Sequence, residues 1–228
     1  MRWIVLAVAC GGICGCSSSA YDAAYMKRVA DRRLAGEFAA LRPTATVVAD
    51  GRAELRLPAV LANQLDGSET PARSVPPFLR DFPGFAGGYE AQVDAADGRL
   101  PIVLTVGVVP TADRPKEKVA EAILGQVRAD EEFGKAAWRK GQSLDDESAA
   151  FGKWDVLELE GPQPFQVTKA DVTVEKRLPG TTAIWLSAES GQKACVILAW
   201  RVPADGREKL PLPEIAKITA RTVRLLGP

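Results

Sequence analysis

The sequence predicts an α+β fold: a mostly antiparallel β-sheet packed by two or three helices, placed after an N-terminal signal and tether helix. Three observations carry that prediction. Short β-prone runs come in pairs around Asp50-Gly51, Asp97-Gly98 and Ser190-Gly191, the pattern of adjacent strands joined by tight turns. Two stretches, 116–133 and 213–226, repeat apolar residues at helical spacing. The run Cys195-Val196-Ile197-Leu198-Ala199-Trp200 is apolar without interruption, which implies a strand buried on both faces, with helices covering either one face of the sheet or both. At 228 residues, 46% hydrophobic and 25% charged, the chain suits one globular domain of ordinary size.

The first element is an export signal. Met1-Arg2 gives a short positive start, and Trp3 to Ile13 is an apolar stretch of signal length. It closes on Ile13-Cys14-Gly15-Cys16. This tetrapeptide resembles the lipobox of bacterial lipoproteins, and the resemblance covers the first sixteen residues. It implies diacylglycerol transfer to the Cys16 thiol, cleavage after Gly15, acylation of the new amino group, and a membrane anchor in the cell envelope facing the periplasm or the exterior. Ser17 after the cysteine favours the outer membrane if the cell has two. Three competing readings are acceptance at Cys10, which lacks a large aliphatic residue three positions before it, an uncleaved anchor, for which Trp3–Ile13 is short and interrupted by Gly11-Gly12, and an ordinary secretory signal cut near Ala20. Two or three acyl chains hold a protein stably where one holds it marginally.

Ser17-Ser18-Ser19 then reads as a tether. Tyr21 to Leu41 follows as a helix with Tyr25, Val29, Leu34, Phe38 and Leu41 at helical spacing and Lys27, Arg28, Arg32, Arg33 and Glu37 between them. Its basic residues either face anionic headgroups or form a solvated face against the domain. The expected organisation is a signal over 1–15, a tether and juxtamembrane helix over 16–42, and a single domain over 43–228.

Within that domain, Thr44–Ala49 with Ala53–Leu57 and Tyr89–Ala95 with Leu100–Val109 read as hairpins. Lys116–Phe133 is the clearest helix, with Val119, Ala120, Ile123, Leu124 and Val127 on one stripe, Pro115 at its start and Gly134 after its end. Gln142–Ala149 reads as a polar loop. Trp154–Glu160 and Phe165–Glu175 read as two strands broken by Gly161-Pro162 and Pro164. Thr182–Ser187 and Lys193–Arg201 form the strongest hairpin, and Pro213–Leu226 closes the chain as an amphipathic helix. Ala-Asp-Gly-Arg occurs at 49–52, 96–99 and 204–207 with unequal spacing, which reads as turn chemistry rather than a repeat. The order of elements is similar in layout to the PsbP-like fold of photosystem II extrinsic proteins.

Composition removes more functions than it suggests. The chain has no histidine, and 29 Lys and Arg balance 29 Asp and Glu. The first fact excludes histidine-based nucleophile pairs and His-ligated zinc; the second gives no electrostatic case for nucleic acid. Cys195 remains as the one thiol beyond the signal and Cys16, inside an apolar strand where an inert buried sulfur is expected. Ser190-Gly191-Gln192-Lys193 matches the Ser-x-x-Lys pattern of penicillin-recognising enzymes, yet falls at a hairpin tip without the companion motifs. Asp145-Asp146-Glu147 and Asp130-Glu131-Glu132 lack the spaced ligands of a calcium loop. No metal or cofactor is expected.

The most unusual stretch is Pro71–Tyr89, rich in proline and glycine and carrying Phe78, Phe82, Phe85 and Tyr89. Those rings form either a recognition surface or core under a long loop. Function is expected to be binding or assembly at the envelope rather than catalysis, with a membrane and an envelope protein as partners. The alternatives are a histidine-free hydrolase working with two carboxylates, and an accessory or sensor subunit that docks through residues 21–41.

Overall fold

The computed structural model describes residues 18–65, 84–144, 149–187 and 191–226. Cys16, Phe78, Phe82, Ser190 and the acids at 145–147 lie outside them. The chain divides into two compact units between Ala39 and Ala40. In the first, helix α1 spans Ser18–Glu37 and gives way to a 3-10 turn over Phe38–Ala40, so the helix expected to reach Leu41 ends earlier. Tyr21, Tyr25, Met26 and Val29 on it are exposed.

The second unit is built on antiparallel strands. β1 (Thr46–Val48) pairs with β2 (Ala53–Leu55), Thr46 opposite Leu55, around the predicted Asp50-Gly51 turn. Ala49, Asp50 and Gly51 are all left-handed there, at φ 55°, 53° and 87°. After β3 (Asn63–Leu65), β4 (Phe85–Ala95) and β5 (Gly98–Pro110) form the second predicted hairpin. Gly98, at φ 133°, would drive a Cβ to 2.7 Å from the Thr168 carbonyl oxygen, so the turn needs glycine on two counts. The third Ala-Asp-Gly-Arg copy is a 3-10 turn, Ala204–Gly206, which confirms a family of turns and no repeated unit.

Helix α2 spans Lys116–Arg128. Its predicted continuation to Phe133 is instead a 3-10 turn over Glu131–Phe133, because the Asp130 carboxylate accepts the Glu132 N–H and caps a new start. β6 (Arg139–Ser143) takes up Gln142 and Ser143, which sequence alone assigned to a loop. β7 (Lys153–Lys169) and β8 (Val172–Ser187) are one long hairpin, continuous through Gly161-Pro162-Gln163-Pro164. The turn lies at Ala170-Asp171, φ 46° and 65°, inside what reads as a single strand over 165–175. β9 (Ala194–Pro203) completes the strongest hairpin with β8. Helix α3 spans Leu212–Arg221 and then yields to β10 (Arg224–Leu225), so Leu225 sits on a strand rather than on the closing helix.

Two sheets result. A small one has the order β1-β2-β10, and a seven-stranded one runs β3-β4-β5-β9-β8-β7-β6. β9 is central and alternates strictly between two cores. Ala194, Val196, Leu198, Trp200 and Val202 join one cluster, while Cys195, Ile197 and Ala199 join the other. α3 contributes Ile215, Ala216 and Ala220 to the first and α2 contributes Val119, Ile123 and Val127 to the second. Helices therefore cover both faces, as the unbroken apolar run requires. On the α3 side, Trp154 packs edge-on to Phe151 and Trp185 at 5.8 and 6.3 Å between ring centroids, and its indole N–H donates to the Phe151 carbonyl.

Candidate functional site

An open groove of about 660 Å³ runs between α2 and the β6–β7 edge of the large sheet. Its apolar wall comes from Ala120 and Leu124 of α2, facing Ala137 and Trp138 ahead of β6. The Trp138 indole N–H donates to the Ala120 carbonyl oxygen at 3.2 Å, which ties the segment before β6 to the helix and fixes the width of the groove. Lys140 and Lys153 supply cations from β6 and β7; Glu117 and Glu121 supply carboxylates from α2.

At one end of the groove sits Asp155, a buried acid in an apolar strand. One of its oxygens meets Lys116 Nζ at 2.6 Å, and the other accepts the Gly141 N–H at 2.9 Å. Gly141 reaches it because β6 bulges between Arg139 and Gln142, with Gly141 at φ 65°. A bulge of this kind re-aims backbone groups. It also breaks up an edge strand whose residues are all exposed and include Arg139 and Lys140, features that discourage edge-to-edge pairing. Arg139 holds Glu158 at 2.7 Å on the neighbouring strand. Cys195 is the free thiol of the domain and is buried; burial pushes its pKa up, against a smaller lowering by Lys116 and a further raising by Glu117.

Of the ring-bearing residues in the Pro71–Tyr89 stretch, the structure describes two. Tyr89 is 2% exposed and belongs to the core on the α3 side; burial raises its hydroxyl pKa, with Arg42 acting to lower it. It is therefore a core ring and not a surface contact. Phe85 opens β4 and is partly exposed. The two do not converge on the groove. The Asp130-Glu131-Glu132 cluster is not a cation site either: Asp130 and Glu132 hold Arg177 of β8 at 3.4 and 3.1 Å. Among the described residues no three metal-ligating side chains gather, and no helix is long and apolar enough to cross a membrane.

The groove residues were not among the sequence candidates. The available signal was Asp155 itself, an acid between Trp154 and Val156-Leu157, where a strand otherwise reads as buried.

No protein-family model and no curated protein matches the chain. Solved structures similar to it include the Ran-binding protein Mog1p of Saccharomyces cerevisiae, at 15% identity and TM-score 0.39, covering 81% of this chain and 96% of that one. A point mutant of Mog1 aligns at 14% identity and TM-score 0.37 over the same shares. The cyanobacterial PsbP of Synechocystis sp. PCC 6803 aligns at 9% and 0.38, covering 82% of this chain and 94% of that one. Similarity at this level transfers no function and no site.

Proposed function

We propose that the protein is a bacterial envelope lipoprotein anchored through Cys16, whose domain is a non-catalytic binding or assembly module that meets an envelope protein at the groove between α2 and β6. The observation that carries the contact face is how the groove is built. Its buried carboxylate has both oxygens engaged, by Lys116 and by Gly141, so the polar machinery holds the walls in place. What it offers outward is an apolar strip with charges at its rim, the composition of a contact surface. The competing hydrolase reading needs two carboxylates free to act across one cleft. In this groove Asp155 is committed to Lys116 and Gly141, and the other two carboxylates, Glu117 and Glu121, both stand on α2, one turn apart on a single wall rather than across the cleft from each other.

The anchor rests on the lipobox resemblance and is tested by mass spectrometry of the native N-terminus beside cell fractionation of wild type and Cys16→Ser. An acylated Cys16 and a variant that leaves the membrane are expected; a mature chain beginning beyond Cys16 without lipid overturns the anchor. The contact face is tested by photo-crosslinking residues placed at Lys140 and, as a control, at Lys169 on the far hairpin tip. Discrete adducts from position 140 alone are expected. Equal patterns from both positions would remove the groove from consideration.

A further inference from the structure

We infer that α1 lies flat on the phospholipid surface, with Tyr21, Tyr25 and Val29 seated at headgroup level. This rests on the proposed anchor at Cys16. Tyr21, Tyr25 and Val29 recur every four residues, so they drift only about 40° per step around the helix and form one narrow stripe. All three are exposed, at 75%, 57% and 43%. Arg28 borders the stripe on one side and Asp22 on the other, so the flanking charge is balanced and the seat is made by the rings and Val29, while Ala23 and Lys27 project from the opposite side.

The occupant follows from covalent reach. Ser18, where α1 begins, is two residues from Cys16, and consecutive Cα atoms are ~3.8 Å apart. The helix therefore starts within about 8 Å of the acylated residue, and Val29 follows only about 17 Å further along the axis. The bilayer is the surface present at very high local concentration beside this stripe. The stripe runs along the helix rather than capping its tip, so a standing helix would present only Tyr21, whereas a lying one presents all three. Tyrosine suits that depth, with an apolar ring and a hydroxyl that keeps its water. A stripe this narrow seats in the interface and does not plunge into hydrocarbon.

The buried Cys195 makes the test clean, because its thiol is withheld from polar reagents. Single cysteines are placed in the full-length, membrane-bound chain as Tyr25→Cys, Val29→Cys and Ala23→Cys, and labelled with a charged maleimide before and after detergent solubilisation. The expected result is labelling at least tenfold slower at 25 and 29 than at 23 in membranes, with the difference erased by detergent. Equal rates in membranes overturn the inference, and slow labelling at 25 and 29 that survives detergent does so too, since protein then covers the stripe. Mass spectrometry separates the two claims. An acylated Cys16 with equal labelling leaves the anchor standing and removes the flat helix, whereas an unlipidated N-terminus removes the anchor and the inference with it.

Discussion

A carboxylate buried in a strand has to be answered by a cation or by hydrogen-bond donors, and Asp155 has one of each. The two partners are unequally buried, Lys116 at 22% side-chain exposure and Asp155 at 6%, and that inequality makes a prediction. Removing one partner of a buried pair costs roughly 3–5 kcal/mol when the other is left uncompensated, while replacing both by apolar groups is near neutral. Lys116→Met strands a carboxylate that water scarcely reaches and should cost about 3 kcal/mol, the lower end because part of the lysine was solvated already. Asp155→Leu leaves a lysine that can swing outward and should cost less. The double variant should lie nearer wild type than either sum implies. Urea denaturation of the four proteins measures this cycle, and additive losses would show that the pair does not act as a unit.

Hairpins and the doubly buried strand were legible from the sequence because each has a local signal. Asp-Gly turns sit at two tips, and β9 is apolar at every position from Cys195 to Trp200. The strand over Trp154–Glu160 was legible, but its continuation through Gly161-Pro162-Gln163-Pro164 into one long β7 was not, and proline explains it. Pro162 faces Pro179 and Pro164 faces Arg177 across the β7–β8 ladder. Two facing prolines have no N–H to exchange, so their pair must be of the non-hydrogen-bonded kind, and residues two further along share that parity. The prolines thus sit where the ladder asks nothing of them, while the side-chain amide of Gln163 between them donates to the Leu159 and Gly180 carbonyls. Rules that read proline as a break see residues and not parity. The missed turn has the same character: Ala170 and Asp171 are left-handed without glycine or asparagine to announce it. Asn-Gly is the pair that this two-residue turn prefers, and left-handed backbone costs an ordinary residue about 1–2 kcal/mol. Ala170→Asn with Asp171→Gly should therefore raise stability by about 1 kcal/mol, read as a higher thermal midpoint. A lower midpoint would mean that the Asp171 side chain supports the turn in a way its backbone angles do not reveal.

At the scale of the whole molecule, the two cores are built, among the described residues, from the second unit. Every buried side chain of the two clusters falls between Val48 and Val223, and the free Cys195 forms no disulfide. Stability therefore has to come from apolar burial on the two faces of the large sheet, with α2 sealing one and α3 the other. The first backbone bond that ties the chain into this unit is donated by Ala59 to the Ala40 carbonyl, with Arg42 donating to Leu57 next to it. The Arg42 guanidinium also donates to the Leu61 carbonyl, which clamps the entry of the domain to the loop before β3. A chain that begins at residue 40 keeps all of these contacts. It should unfold in urea with a free energy within about 0.5 kcal/mol of a chain that begins at residue 17, the range of changes that touch no buried feature, and with an unchanged dependence on denaturant, since that slope follows the surface exposed on unfolding. A loss of 2 kcal/mol or a shallower slope would instead place part of α1 inside the folded core. That would deprive the tether of the exposed stripe by which it is expected to meet the membrane.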